Sequence, residues 1–210
     1  MSTQTILSTV GRLVIGAACL ISSSACGGEL MRTGRSAVFL TVESMQATPG
    51  NGGAASSYLL SDVQVLVDET VNGVTRQVPT IFNDSLQVSI RSNEKNPSSV
   101  ATLINGVTLT RYHVAFRRTD GRNTPGVDVP YSFDGGLGVT VGPGSVVQVG
   151  IEVVRHQAKL EPPLANLARG GGQVFISTIA EVTFYGRDQN GNEVTTTGKI
   201  DVQFGDFGDQ

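Results

Sequence analysis

Between Val174 and Phe204 apolar and polar residues trade places at nearly every step, and this period of two constrains the fold more than any other feature of the chain. Val174, Ile176, Ala180, Val182 and Phe184 lead up to Asp188-Gln189-Asn190-Gly191-Asn192. Beyond it Val194, Thr196, Gly198, Ile200, Val202 and Phe204 alternate with Glu193, Thr195, Thr197, Lys199, Asp201 and Gln203. Successive side chains of a strand point to opposite faces, so the two runs predict a long hairpin that buries one continuous apolar face.

The same period recurs upstream. Val38, Leu40 and Val42 predict a first strand over Ala37 to Met45, and the turn-rich Ala47 to Ser57 predicts a long loop. Val63, Val65 and Val67 lead to Asn72-Gly73, a two-residue turn signal that needs positive φ at both positions. Thr75 to Ile81, interrupted by Pro79, would be the returning arm. Leu86, Val88 and Ile90 mark the next strand. After that, Tyr112, Val114 and Phe116 oppose a cationic face of Arg111, His113 and Arg117. Val129 to Phe133 predicts a short strand and Leu137, Val139 and Val141 another. Val147, Val149, Ile151 and Val153 would be buried in the strand that follows.

A helix is expected only between Lys159 and Gly172, where Pro162 and Pro163 could open it, Leu164, Leu167 and Ala168 give one apolar stripe, and Gly170 could close it. Eight or nine short one-sided strands are the pattern of an all-β chain, expected here as an antiparallel two-sheet sandwich with at most one short helix. From Ser85 onward the strand order and the closing hairpin resemble immunoglobulin and fibronectin type III domains, without the disulfide and tryptophan of true immunoglobulins. The resemblance is immunoglobulin-like in architecture and carries no functional residue.

Targeting is concentrated in LVIGAACLISSSACGG, Leu13 to Gly28. Arg12 precedes an apolar run from Leu13 to Ile21, and small residues follow, as in a secretory signal peptide. The run is shorter than the roughly 20 apolar residues that span a bilayer core. Ser24-Ala25-Cys26 resembles the lipobox of bacterial lipoproteins, with Ser23 where those carry leucine three residues before the cysteine. That resemblance implies lipid attachment at Cys26; cleavage at the same bond by an ordinary signal peptidase is the alternative, and Cys19 is a second acceptor that would cut the apolar run short. Gly27, not aspartate, follows Cys26, which by resemblance to enteric lipoproteins implies the outer membrane. The expected organisation is a signal peptide over 1–25, a flexible tether over 26–36 and a single β domain over 37–210.

Composition narrows the function classes. Both cysteines, Cys19 and Cys26, lie in the targeting region, so residues 37–210 contain no thiolate ligand, no cysteine nucleophile and no internal disulfide. A formal net charge of −3 with no long run of like charge offers no footprint for nucleic acid. His113 and His156 are the only histidines, with no Gly-x-Ser-x-Gly elbow anywhere, so surface roles are expected for them. Asp188, Asn190 and Asn192 have the alternating oxygen spacing of a calcium loop, but the same residues suit a hairpin turn and the distal glutamate is missing. Gly170-Gly171-Gly172 lacks the lysine of a phosphate loop.

These readings converge on a membrane-tethered, non-enzymatic envelope protein without a cofactor, acting as a structural or protein-binding module. Its partners would be the membrane, through the N-terminal lipid, and another envelope protein or an extracellular ligand. The alternative is a carbohydrate- or calcium-dependent binding module, against which stands the absence of tryptophan.

Overall fold

A computed structural model describes residues 34–98, 102–169 and 174–207. The structure is all-β. Its strands are β1 (Val38–Thr48), β2 (Tyr58–Asp62), β3 (Val65–Val71), β4 (Val74–Thr80), β5 (Asp84–Glu94), β6 (Val107–Arg117), β7 (Phe133–Val141), β8 (Val146–Val154), β9 (Ile176–Asp188) and β10 (Glu193–Gly205). One four-residue helix, α1 (His156–Lys159), and two 3-10 turns, at Leu103–Asn105 and Leu164–Arg169, are the helical elements among the described residues.

One sheet has the order β1-β5-β8 and a second the order β2-β10-β9-β6-β7, while β3 and β4 pair only with each other. The inner faces of the two larger sheets supply a single apolar cluster, with Leu86, Val88 and Ile90 from β5 and Val182, Phe184, Ile200, Val202 and Phe204 from β9 and β10. β1 comes close to β10 at Gly198, where an added Cβ would run into Met45 Sδ and lie 3.0 Å from a Val42 methyl. On the inner face of the five-stranded sheet the Phe116 and Phe204 rings meet edge to face at 5.4 Å.

The closing hairpin forms as its alternation predicts, with Val182 opposite Gly198 and Ile200 opposite Ala180. It begins at Ile176; Val174 is exposed. β5 buries Leu86, Val88 and Ile90, and β8 buries Val149, Ile151 and Val153, while Val147, also expected inside, is half-buried near the strand's start. Strand β6 puts Tyr112, Val114 and Phe116 inward and Arg111 and Arg117 outward.

Other expectations need correction. Pairing is not antiparallel throughout, because β2 lies parallel to β10. β2 is a separate strand from β3, and its chain reaches the edge of the five-stranded sheet after crossing from β1, which sets it in the same direction as β10. β1 runs past Met45 to Thr48, because a bulge at Glu43 shifts the inward phase from Val38, Leu40 and Val42 to Met45 and Ala47. Val129 to Phe133 is not a strand: Val129 makes one bridge to Pro125, and Phe133 already belongs to β7. The helix expected between Lys159 and Gly172 is not an α-helix among the described residues: α1 ends where it should begin, and the apolar stripe falls in the 3-10 turn at Leu164–Arg169, which buries Leu164 and Leu167. Ser36, assigned by composition to the tether, is buried.

The strand directions define two ends. At the proximal end the chain enters β1 at Val38, close to the turn that joins β9 to β10. At the distal end, Thr48 pairs with Ser85, Asp62 with Gly205 and Asp84 with Val154.

Candidate functional site

Two features of the surface stand apart from the packing of the core. The first is a groove of about 610 Å³ on the outer face of the five-stranded sheet. A bulge builds it. The ladders of β6 with both β7 and β9 slip between Leu109 and Arg111, so Thr110 and Arg111 both face outward between the buried Leu109 and Tyr112. An unbroken pleat would have turned one of them into the core. Opposite the slip stands Gly186, where an added Cβ would lie 2.5 Å from the Thr108 carbonyl oxygen and 3.1 Å from Leu109 Cα. The close approach of β9 to the bulge therefore requires glycine.

Side chains from three strands line the groove: Thr110 and Arg111 from β6, Thr183, Tyr185 and Arg187 from β9, and Thr195 beside Glu193 from β10. The Arg111 guanidinium lies 3.9 Å from the centre of the Tyr185 ring and donates to Asp134 Oδ1 at 2.9 Å. Arg187 donates to Glu193 Oε1 at 3.2 Å. Thr183 and Thr197 hydroxyls bond across the β9/β10 pair at 2.9 Å. Each cation thus already has an anion, and the arrangement offers positioned donors, acceptors and one aromatic ring.

His113 lies beside this face, with Nδ1 3.3 Å from Asp134 Oδ1. His156 is distal, its Nδ1 3.1 Å from Asn83 Oδ1. The two histidines occupy separate sites. Asp188, Asn190 and Asn192 do come together, but as a turn. Asp188 Oδ1 accepts from the amides of Asn190 at 3.0 Å and Asn192 at 2.9 Å, and Oδ2 accepts from Asn192 Nδ2 at 2.9 Å. Gly191, at φ 81°, takes the left-handed position. Burial pushes the Asp188 carboxyl up, but donors from Asn192, Ser36 and Asn190 outweigh it and hold the group below the ordinary range. Among the described residues no three of His, Cys, Asp and Glu lie close enough to hold a metal ion. Asp120 is engaged elsewhere, held down to about 2 by Arg118 first and by Arg122. Cys26, Cys19 and Gly170-Gly171-Gly172 lie outside the described residues.

The second feature is the β3–β4 hairpin. Asn72 and Gly73, at φ 53° and 79°, form its turn. Among the described residues neither strand packs substantially on another element, and none of the hairpin's residues is buried. Val65 and Val67, expected in the core, are half-buried and exposed; only Val63, just before the strand, is buried. One face groups Val65, Val67, Val71, Val74 and Val78 around the Glu69–Arg76 pair. Val74 is 69% exposed and Val71 49%. The arm springs from the distal end, between Val63, whose amide donates to Gly205, and Asp84.

The sequence flags neither feature as functional. The bulge leaves a faint trace, two polar residues between Leu109 and Tyr112 where the alternation allows one. Nothing local separates the exposed valines of β3 from the buried ones of β8. No family model and no curated protein matches the chain. No helix among the described residues is long and apolar enough to cross a membrane.

Proposed function

We propose that this protein is a lipid-tethered, non-enzymatic protein of the bacterial outer membrane, an immunoglobulin-like two-sheet sandwich that docks a partner protein through its β3–β4 arm. The observation that carries the reading is the hairpin itself, which shows an exposed valine face and adds nothing to the core. A lone two-stranded hairpin is marginally stable in water, so its order rests on the turn, the Glu69–Arg76 pair and the Thr70–Thr75 hydroxyl bond at 2.9 Å. A third strand would complete it.

The register indicates which edge accepts that strand. In a two-residue hairpin the residues flanking the turn form a hydrogen-bonded pair and the pattern alternates outward. Pro79 therefore falls in a pair whose backbone faces outward, and having no N–H it blunts the β4 edge. The β3 edge presents the amides of Asp68 and Thr70. A second copy paired antiparallel about this point would set Asp68 against Asp68, so an extended segment of another protein with a basic residue there is the better occupant. The distal root of the arm, opposite the end where the chain enters β1, supports docking away from an N-terminal anchor.

A photo-crosslinking residue at Thr70 of the full chain, expressed in bacterial cells, should yield one discrete protein adduct that Asp68→Lys abolishes. The same residue at Lys199 should yield none. No adduct at Thr70, or one indifferent to Asp68→Lys, overturns the reading.

A further inference from the structure

We infer that the groove around Tyr185 binds a neutral saccharide, independently of the hairpin and its partner. Its volume of about 610 Å³ falls within the range of small-ligand sites. Its chemistry selects among ligand classes.

Charge is balanced: Arg111 and Arg187 face Asp134 and Glu193 at 2.9 and 3.2 Å. A charged ligand would have to break one of these pairs, whereas sugar hydroxyls both donate and accept. They can bond to the guanidinium N–H groups and to the Asp134 carboxylate with the pairs left in place. Thr110, Thr183 and Thr195 add hydroxyls of the same dual character. Tyr185 is half-buried, with the Arg111 guanidinium over one face of its ring at 3.9 Å, and the part of the ring left uncovered supplies the apolar surface against which the C–H groups of a sugar pack.

A peptide fits less well. β6 and β9, which carry Arg111 and Tyr185, have neighbours on both sides, so no strand can be added at the ring; the outer edge of β10, paired by β2 only over Asp201–Gly205, lies to the side of it. Apart from Tyr185 the groove has no large apolar side chain to form a specificity pocket. Nucleic acid would need an excess of cations that the groove does not have.

The full chain would be titrated with chitotriose, maltotriose and, as an acidic control, trigalacturonate, following backbone amides by NMR. A neutral trimer should shift the amides of Thr183, Tyr185 and Thr195 and saturate at millimolar concentration or below. Tyr185→Ala should weaken it by about tenfold or more, Tyr185→Phe should preserve it, and Lys199→Ala, outside the groove, should leave it unchanged. Should Tyr185→Ala fail to fold, Thr195→Val must weaken binding instead. Shifts with neither neutral trimer, binding of the acidic trimer alone, or binding that survives loss of the ring overturns the inference. Loss of crosslinking at Thr70 would not touch it.

Discussion

Lys159 Nζ lies 2.9 Å from Asp84 Oδ2, and both side chains are 1% exposed. Ser61 Oγ donates to the same oxygen at 2.6 Å and the Gly50 amide to Oδ1 at 2.8 Å. One carboxylate thus ties α1, β2, β5 and the loop after β1 together at the distal end, at the root of the hairpin. Replacing one partner would strand a buried charge, at a cost of about 3–5 kcal/mol, while an apolar pair of similar volume is often tolerated. Asp84→Asn and Lys159→Met should therefore each lower the urea midpoint sharply, and Asp84→Leu combined with Lys159→Met should recover much of the loss. Additive single losses in the double variant would contradict this account.

The turn at Asp188 should make the domain acid-sensitive. The folded-state pKa is depressed, so the carboxylate contributes stability above its unfolded value, about 3.9, and that contribution is lost as pH falls below it. Wild type should exceed Asp188→Asn in denaturant midpoint at pH 7, and the gap should narrow at pH 3. A gap that widens in acid would show that the turn donors do not favour the ionised form.

Phe184 and Lys199 test the alternation of the closing hairpin. Phe184 is fully buried, and truncating it to alanine should cost about 3–5 kcal/mol. Lys199, with its side chain 62% exposed, bridges Glu181 at 2.8 Å on the outer face. Lys199→Ala should change stability by about 0.5 kcal/mol or less, since exposed pairs contribute little. Equal denaturant midpoints for the two variants would undo the reading of an inward and an outward face.

Attachment at Cys26 is open to direct measurement. Radiolabelled palmitate should enter the wild-type chain and not Cys26→Ser. Label that survives the change would move the acceptor to Cys19, and no label in the wild type would end the lipoprotein reading.

The sequence by itself determined the all-β class, the direction of most side chains and both long hairpins. These follow from local geometry: side chains alternate with a period of two, and Asn72-Gly73 tolerates positive φ wherever it stands. The inward face of β9 and β10 was legible because Val182, Phe184, Ile200, Val202 and Phe204 each stand one residue apart from the next inward position, with a polar residue between most of them. Only the tertiary structure decided which apolar faces are covered. Val67 and Val149 sit in equally regular alternations, yet Val67 is 38% exposed and Val149 5%, because β8 turns Val149 into the common apolar cluster while β3 packs substantially only on β4. Likewise, the groove depends on the slip at Thr110 meeting a glycine 76 residues later, at Gly186, and Lys159 reaches Asp84 across 75 residues. Such pairings are long-range: each half is unremarkable in its own segment, and only packing brings the halves together.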